Sequence, residues 1–258
     1  MNITLTGQVA IITGAAHGFG RAITLALGRC GASVWAVDKL ADELAETAQL
    51  AQSAGLRCTA LPCDITDSSA VNQLVARVLA DEKRVDILVN NAGGVVGQVG
   101  RPVEDVSDTE WNAVVNVNLN AAFYFIRAVA PAMKAQRFGR IVNISSGAGR
   151  TFSLSGIQAY ASAKAGQIGL TRQMAKELGA WNITVNNIAP GFVRSNPTTE
   201  RQWQAMGEEK QKGLVDSIAL KRLGLPDDIA NGVLFFVSEL SGWVTGQTIS
   251  IDGGHHMM

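Results

Sequence analysis

The chain has 258 residues, of which 47% are hydrophobic and 17% charged, a balance that suits one large α/β unit with its own core and excludes a disordered chain. Its 22 Lys+Arg cancel its 22 Asp+Glu, so it lacks the basic excess that a nucleic-acid partner selects. Its 27 glycines follow no repeat, which excludes collagen.

Short apolar runs alternate with longer stretches of helical period. VAIIT (9–13) predicts a buried strand, 18–30 a helix, SVWAV (33–37) a second strand and 40–54 a helix. LRCTALP predicts a third strand, 69–82 a helix, DILVN (86–90) a fourth strand and 108–136 one long helix. RIVNIS (140–145), ITVNNI (183–188) and QTISI (247–251) read as further strands, with helices over 157–179 and 227–238. Unbroken Val/Ile runs indicate strands buried on both faces. Their alternation with helices indicates a parallel sheet with right-handed crossovers. The expected fold is a single doubly wound, Rossmann-like sheet of about seven strands flanked by helices, in one domain over 1–258. The stretch 190–215, with Pro190, Pro197 and Trp203, reads as an irregular substrate loop inserted between strands.

Cys30, Cys58 and Cys63 are too few and too scattered for a disulfide scaffold, and no Cys/His spacing suits a metal. They read as thiols of a reducing, cytoplasmic setting. MNITLTGQVAIITGAAHG lacks the basic start and long apolar stretch of a signal peptide, and no apolar run reaches the ~20 residues of a membrane span.

Three motifs carry chemistry. Gly14, Gly18 and Gly20, with His17 and Phe19 between them, follow a strand and open a helix. Such a turn lets backbone approach a phosphate at the positive end of a helix. Asp38 ends the second strand, where a carboxylate accepts from ribose hydroxyls and repels a 2′-phosphate, which favours NAD over NADP. Lys39 beside it offsets some of that repulsion. Tyr160 and Lys164 lie four apart on a predicted helix and share a face. A phenol with a reference pKa of about 10 is a poor base, and a close ammonium is expected to lower that value. Ser145-Ser146, Asn90-Asn91-Ala92-Gly93 and Pro190-Gly191 all fall at strand ends, where open α/β sheets bind ligands.

TGxxxGxG, NNAG, a serine ahead of YxxxK, and PG occur in the order found in the short-chain dehydrogenase/reductase family, which the chain resembles from Val9 to Gly254. The resemblance implies that Gly14, Gly18 and Gly20 cradle the cofactor pyrophosphate and that Asp38 holds the adenosine ribose. It implies adenine contacts from Asp64 and Ile65, and a cofactor wall from Asn91, Ala92 and Gly93. Pro190, Gly191, Val193 and Ser195 would then flank the carboxamide, with Val193 presenting backbone groups to it. Asn118 would keep a water in a proton relay, Ser146 would bond the substrate oxygen (Ser145 being a minor alternative), and Tyr160 would be the acid–base residue. Lys164 would bind the nicotinamide ribose and lower the tyrosine pKa. His17 stands where members that prefer NADPH often carry Arg or Lys. The implied reaction interconverts a secondary alcohol, or a sugar hemiacetal, with its carbonyl compound.

The loops expected around the substrate carry Arg101, Arg150, Gln158, Arg194 and Trp203. These predict a small hydrophilic or anionic substrate such as a sugar, polyol or hydroxy acid. The alternative is reduction of a 3-oxoacyl thioester with NADPH. Its acidic carrier protein would need a basic surface, for which Arg127, Lys134, Arg137 and Arg172 are available. A non-catalytic NAD sensor or scaffold is a second alternative, against which the complete Asn118/Ser146/Tyr160/Lys164 set counts. The resemblance also implies a homotetramer, or a dimer, with the end of the chain through Met258 reaching a neighbour. No metal, nucleic acid or membrane is expected as a partner.

Overall fold

The computed structural model describes residues 3–153 and 155–257. Seven strands form one parallel sheet: β1 (Val9–Thr13), β2 (Ser33–Asp38), β3 (Cys58–Pro62), β4 (Ile87–Asn90), β5 (Gly139–Ile144), β6 (Ile183–Pro190) and β7 (Thr248–Ile251). Their spatial order is β3-β2-β1-β4-β5-β6-β7, and every pairing is parallel. The chain runs outward from β1 to β3, then returns to β4 on the other side of β1. That reversal opens a crevice beyond the carboxyl ends of β1 and β4, the place where doubly wound sheets bind ligands.

The central strands β1, β4, β5 and β6 are buried along their whole length, as their unbroken apolar runs require. Helices α1 (Gly18–Arg29), α2 (Ala41–Ser53), α3 (Ser68–Glu82), α4 (Asp108–Val115), α5 (Ala121–Gln136), α6 (Gly147–Arg150), α7 (Gln158–Leu178), α8 (Pro197–Ser217) and α9 (Pro226–Val237) complete the chain. Two apolar cores lie on the two faces of the sheet. One holds Ile11, Leu88, Phe125, Met133 and Val185, the other Ile12, Ile23, Leu27, Val89 and Phe236.

Two predicted elements differ. The helix expected over 108–136 is interrupted by a π turn at Asn116–Asn120, which places Asn118 wholly inside the fold. The segment Asp108–Gln136 is long and apolar enough to cross a membrane, but Phe125, Ile126, Val129 and Met133 on it are core residues of this fold. The stretch 190–215, expected as an irregular loop, is mostly the helix α8. Asn196 caps it by accepting from the Thr198 and Thr199 N–H groups, and Pro197 occupies its first position, where a missing N–H costs nothing. Gly207, at φ +73°, breaks it. Met258, expected to reach a neighbouring subunit, lies outside the described residues.

Candidate active site

The glycine turn after β1 is shaped by close approach. A Cβ on Gly14 (φ +69°) would lie 2.8 Å from the Ala92 Cα and from the Asn91 Nδ2, and one on Gly20 would strike the Gly14 carbonyl. Asn91 ties the turn to β4: its Nδ2 donates to the Thr13 and Gly14 carbonyls at 2.9 and 3.1 Å. Thr13 Oγ1 accepts from the N–H groups of Asn91 and Ala92, each at 3.0 Å. Helix α1 starts at Gly18 with no side chain capping its first turn, because His17 is extended and its ring lies 3.6 Å from Glu43. N–H groups at a helix start that no side chain caps fit a phosphate. Phe19 is half-buried beside the turn.

Asp38 projects at the end of β2. Its two oxygens accept from the Ala16 and Leu40 N–H groups, each at 3.1 Å, so the carboxylate is fixed beside the glycine turn. Asp64 accepts from the Thr66 N–H and hydroxyl at 2.9 and 2.7 Å, which holds its carboxyl below the usual range, and Ile65 behind it is buried. These residues suit an adenosine: a carboxylate at ribose height and an apolar wall below it.

On the other side of the crevice the π turn aims Asn118 at the turn after β4. Asn118 Nδ2 donates to the Gly94 and Val114 carbonyls, each at 2.8 Å, and its Oδ1 accepts from the Gly94 N–H at 3.1 Å. Gly93 has no room for a Cβ, which would meet Asn118 Oδ1 and lie 3.2 Å from the Lys164 Nζ. Ser146 follows β5 and caps α6, its Oγ accepting from the Ala148 N–H at 3.2 Å, and its side chain lies by the Tyr160 hydroxyl. Ser145 is engaged elsewhere: its Oγ accepts from Asn187 Nδ2 at 2.7 Å and donates to the Ile188 carbonyl. Of the two serines, Ser146 is the one beside Tyr160.

Lys164 is buried, with Nζ 5.6 Å from the Tyr160 ring centre. Its ammonium donates to the Ile144 carbonyl at 2.8 Å and to Gln167 Oε1 at 2.9 Å. Burial pushes Lys164 down to about 7. The phenol departs from expectation in this state. Burial raises the Tyr160 pKa, and the Ser146 hydrogen bond offsets that in part. The lysine does not lower it here, because its charge is itself penalised by burial and directed to other acceptors.

The residues expected around the substrate are mostly committed within the protein. Arg101 pairs with Glu110 at 2.6 Å, Arg194 with Glu200 at 2.7 Å, and Arg150 donates to Ser250 at 2.8 Å. Gln158 donates to the Arg101 carbonyl and accepts from Gln98, which stitches the 94–101 loop to the start of α7, and Gln98 also donates to the Gly156 carbonyl just before it. Trp203 stacks between Phe192 and the Arg194 guanidinium. Arg101 and Arg194 are thus ion-paired rather than bare, whereas Arg150 bonds a hydroxyl and keeps its charge. The same two loops expose Val96, Val99 and Phe152 to solvent. Pro190 and Gly191 end β6, and a Cβ on Gly191 would strike Asp252. Val193 is buried and bridges Gly224, and the Ser195 carbonyl covers Gly18.

Sequence reasoning missed Gln167 and Gln98. Nothing in the linear pattern separates a buried polar residue on a long helix from an exposed one; the signal appears only when the neighbours are known.

A family model described as enoyl-(acyl carrier protein) reductase matches residues 14–256. A solved structure from Burkholderia xenovorans that carries the short-chain dehydrogenase/reductase name is 35% identical, with a TM-score of 0.90, and the match covers 97% of each chain. This chain belongs to the short-chain dehydrogenase/reductase family. Within it, the 3-oxoacyl-[acyl-carrier-protein] reductase FabG of Thermotoga maritima is 38% identical over 97% of this chain and 98% of its own. The (2S)-[(R)-hydroxy(phenyl)methyl]succinyl-CoA dehydrogenase subunit BbsD of Thauera aromatica is 37% identical over 98% of each. A 7α-hydroxysteroid dehydrogenase solved with NADH and 7-oxo glycochenodeoxycholic acid is 34% identical, with a TM-score of 0.90, over 98% of this chain and 96% of that one. As a short-chain dehydrogenase/reductase the chain is an NAD(P)-dependent oxidoreductase of CH–OH groups.

Proposed function

We propose that the protein interconverts a 3-oxoacyl thioester and its 3-hydroxyacyl form, with NAD(H) preferred. The observation that carries the substrate half is the state of the site mouth. Its Arg101 and Arg194 are already paired, and Val96, Val99 and Phe152 face outward around it. An acyl chain gains by covering such residues, whereas a sugar or polyol gains little from Arg101 and Arg194, which are already ion-paired. Two relatives that are named for acyl-carrier-protein and acyl-CoA substrates support the thioester over the hydrophilic alcohol. The cofactor half rests on Asp38, fixed by two backbone donors where a 2′-phosphate would be repelled.

When bound, the nicotinamide supplies the hydride. Gly14, Gly18, Gly20 and the α1 start would hold its pyrophosphate, and Asn91, Ala92, Gly93, Val193 and Ser195 would line its path. Ser146 donates to the substrate carbonyl oxygen as negative charge develops there. Tyr160, its pKa kept high by burial, delivers its hydroxyl proton to that oxygen, which is the direction a neutral phenol favours. Lys164, beside the Tyr160 ring, would orient the ribose. Asn118 fixes the turn that carries Gly93 and Gly94. Arg194, Trp203 and α8 would form one side of the acyl pocket.

We also place the protein in the cytoplasm, as an oligomer. The groove of about 400 Å³ between Phe123, Ile126, Ala130 and Met174 on α5 and α7 is the face for self-association. The test of function is NADH and NADPH oxidation on 3-oxoacyl thioesters beside a panel of sugars, polyols and hydroxy acids. Turnover of the thioester with NADH supports the reading; turnover confined to a hydrophilic alcohol overturns it.

A further inference from the structure

Lys164 has a partner that the scheme above leaves unused. Gln167 lies three residues further along α7, is wholly buried, and accepts from the Lys164 Nζ at 2.9 Å. Its Nε2 has no partner among the described residues. A buried amide with an unpaired N–H carries a desolvation cost that an apolar residue of similar size avoids. Its orientation has a reason: turned the other way, Nε2 would face an ammonium, donor against donor. A polar residue kept in the core with only its oxygen in use points to that oxygen as its purpose.

We propose that Gln167 is a positioning residue, whose Oε1 fixes the Lys164 ammonium beside Tyr160 and Gly93 and keeps it charged. The inference rests on reading Tyr160 and Lys164 as the acid–base pair. The other groups around the ammonium leave this task to neutral acceptors. Strand β5 offers the Ile144 carbonyl, which is the other acceptor besides Gln167, and the turn after β4 brings Gly93, which carries no side chain, close to the ammonium. Strand β6 has no titratable residue. On α4 and α5, Glu110 is paired with Arg101 and Lys134 with Glu177, and on α6 Arg150 is bonded to Ser250. The titratable group that faces Lys164 is Tyr160. Burial opposes the charge, and the hydrogen bonds that Nζ makes are to two neutral acceptors, the Ile144 carbonyl and Gln167 Oε1.

The consequence has a definite sign. Reduction needs a protonated Tyr160 and a charged Lys164. An acceptor favours the charged ammonium, so its removal lets that proton leave at lower pH. A carboxylate in its place holds the proton to higher pH.

The test is a carbon-13 NMR titration of protein labelled at lysine Cε, with Lys164→Met assigning the resonance. The Lys164 midpoint is expected to fall by about one pH unit in Gln167→Leu and to rise in Gln167→Glu. In thioester reduction with NADH, the alkaline limb of the kcat profile should move the same way, with kcat near pH 8 about tenfold lower in Gln167→Leu. If Gln167→Leu does not fold, Gln167→Glu, which keeps size and polarity, carries the test. Unmoved midpoints overturn the proposal, and so does a kcat loss that is uniform across pH. If the midpoints move but the wild type reduces no thioester, the role of Gln167 stands and the substrate reading falls.

Discussion

Asn118 and Gly94 are joined twice: Nδ2 donates to the Gly94 carbonyl at 2.8 Å, and Oδ1 accepts from the Gly94 N–H at 3.1 Å. The pair works like a rung of a ladder between a helix and a turn. The π turn makes it possible, because one extra residue in the helical turn swings Asn118 inward. Asn118→Asp keeps the acceptor and loses the donor, leaving the Gly94 and Val114 carbonyls unpaired. It is expected to lower kcat by about tenfold or more and to destabilise the fold by about 1–3 kcal/mol. Steady-state kinetics and chemical denaturation check this, and an unchanged kcat would remove Asn118 from the working site.

Asp38 predicts cofactor choice. Asp38→Ser removes the charge that repels a 2′-phosphate and keeps a short polar side chain. The ratio of kcat/KM for NADH over NADPH is expected to fall at least about tenfold. Parallel assays with both cofactors measure it. An unchanged ratio would mean that discrimination lies elsewhere, with Lys39 or His17 the next residues to test.

Lys164 predicts a pH-dependent stability. Its folded pKa, about 7, lies below the unfolded value of about 10.4. Between these values the unfolded chain binds the extra proton, so stability rises with pH across that window and the cost is full below it. Lys164→Met removes the cost. The variant should therefore exceed the wild type by on the order of a few kcal/mol near pH 7, with the gap closing toward pH 10. Denaturant melts across pH measure this. A gap that does not change with pH would show that the lysine is fully charged in the folded protein.

Most of the fold was legible because burial on both faces leaves unbroken Val/Ile strands, and VAIIT, DILVN and RIVNIS needed no partner to be read. The site was legible where backbone chemistry dictates the residue. Gly14 and Gly20 are required by contacts that a Cβ would break, and the YxxxK spacing puts Tyr160 and Lys164 on one face. What escaped were features set by partners distant in sequence. The arginines read as free until Glu110, Glu200 and Ser250 met them. Tyr160 read as a lowered phenol until burial was seen to outweigh a lysine that is itself desolvated. Helix α8 was hidden by Pro197 and Gly207, although Asn196-Pro197 is a legible start.

Asn196 tests α8. Its Oδ1 accepts from the first two free N–H groups of the helix. Asn196→Ala should loosen this helix by about 1 kcal/mol and raise KM for the acyl substrate more than it lowers kcat. Equal change in both would separate α8 from substrate binding.

The central claim is that Tyr160 passes a proton to the carbonyl oxygen of a 3-oxoacyl thioester. The most direct measurement is NADH oxidation on that substrate by wild type and Tyr160→Phe, with NADH binding followed by fluorescence in the same samples. The account predicts turnover by the wild type, a loss of about a thousandfold in the variant, and NADH affinity within about twofold in both. A Tyr160→Phe protein that still reduces the thioester at a comparable rate would contradict it.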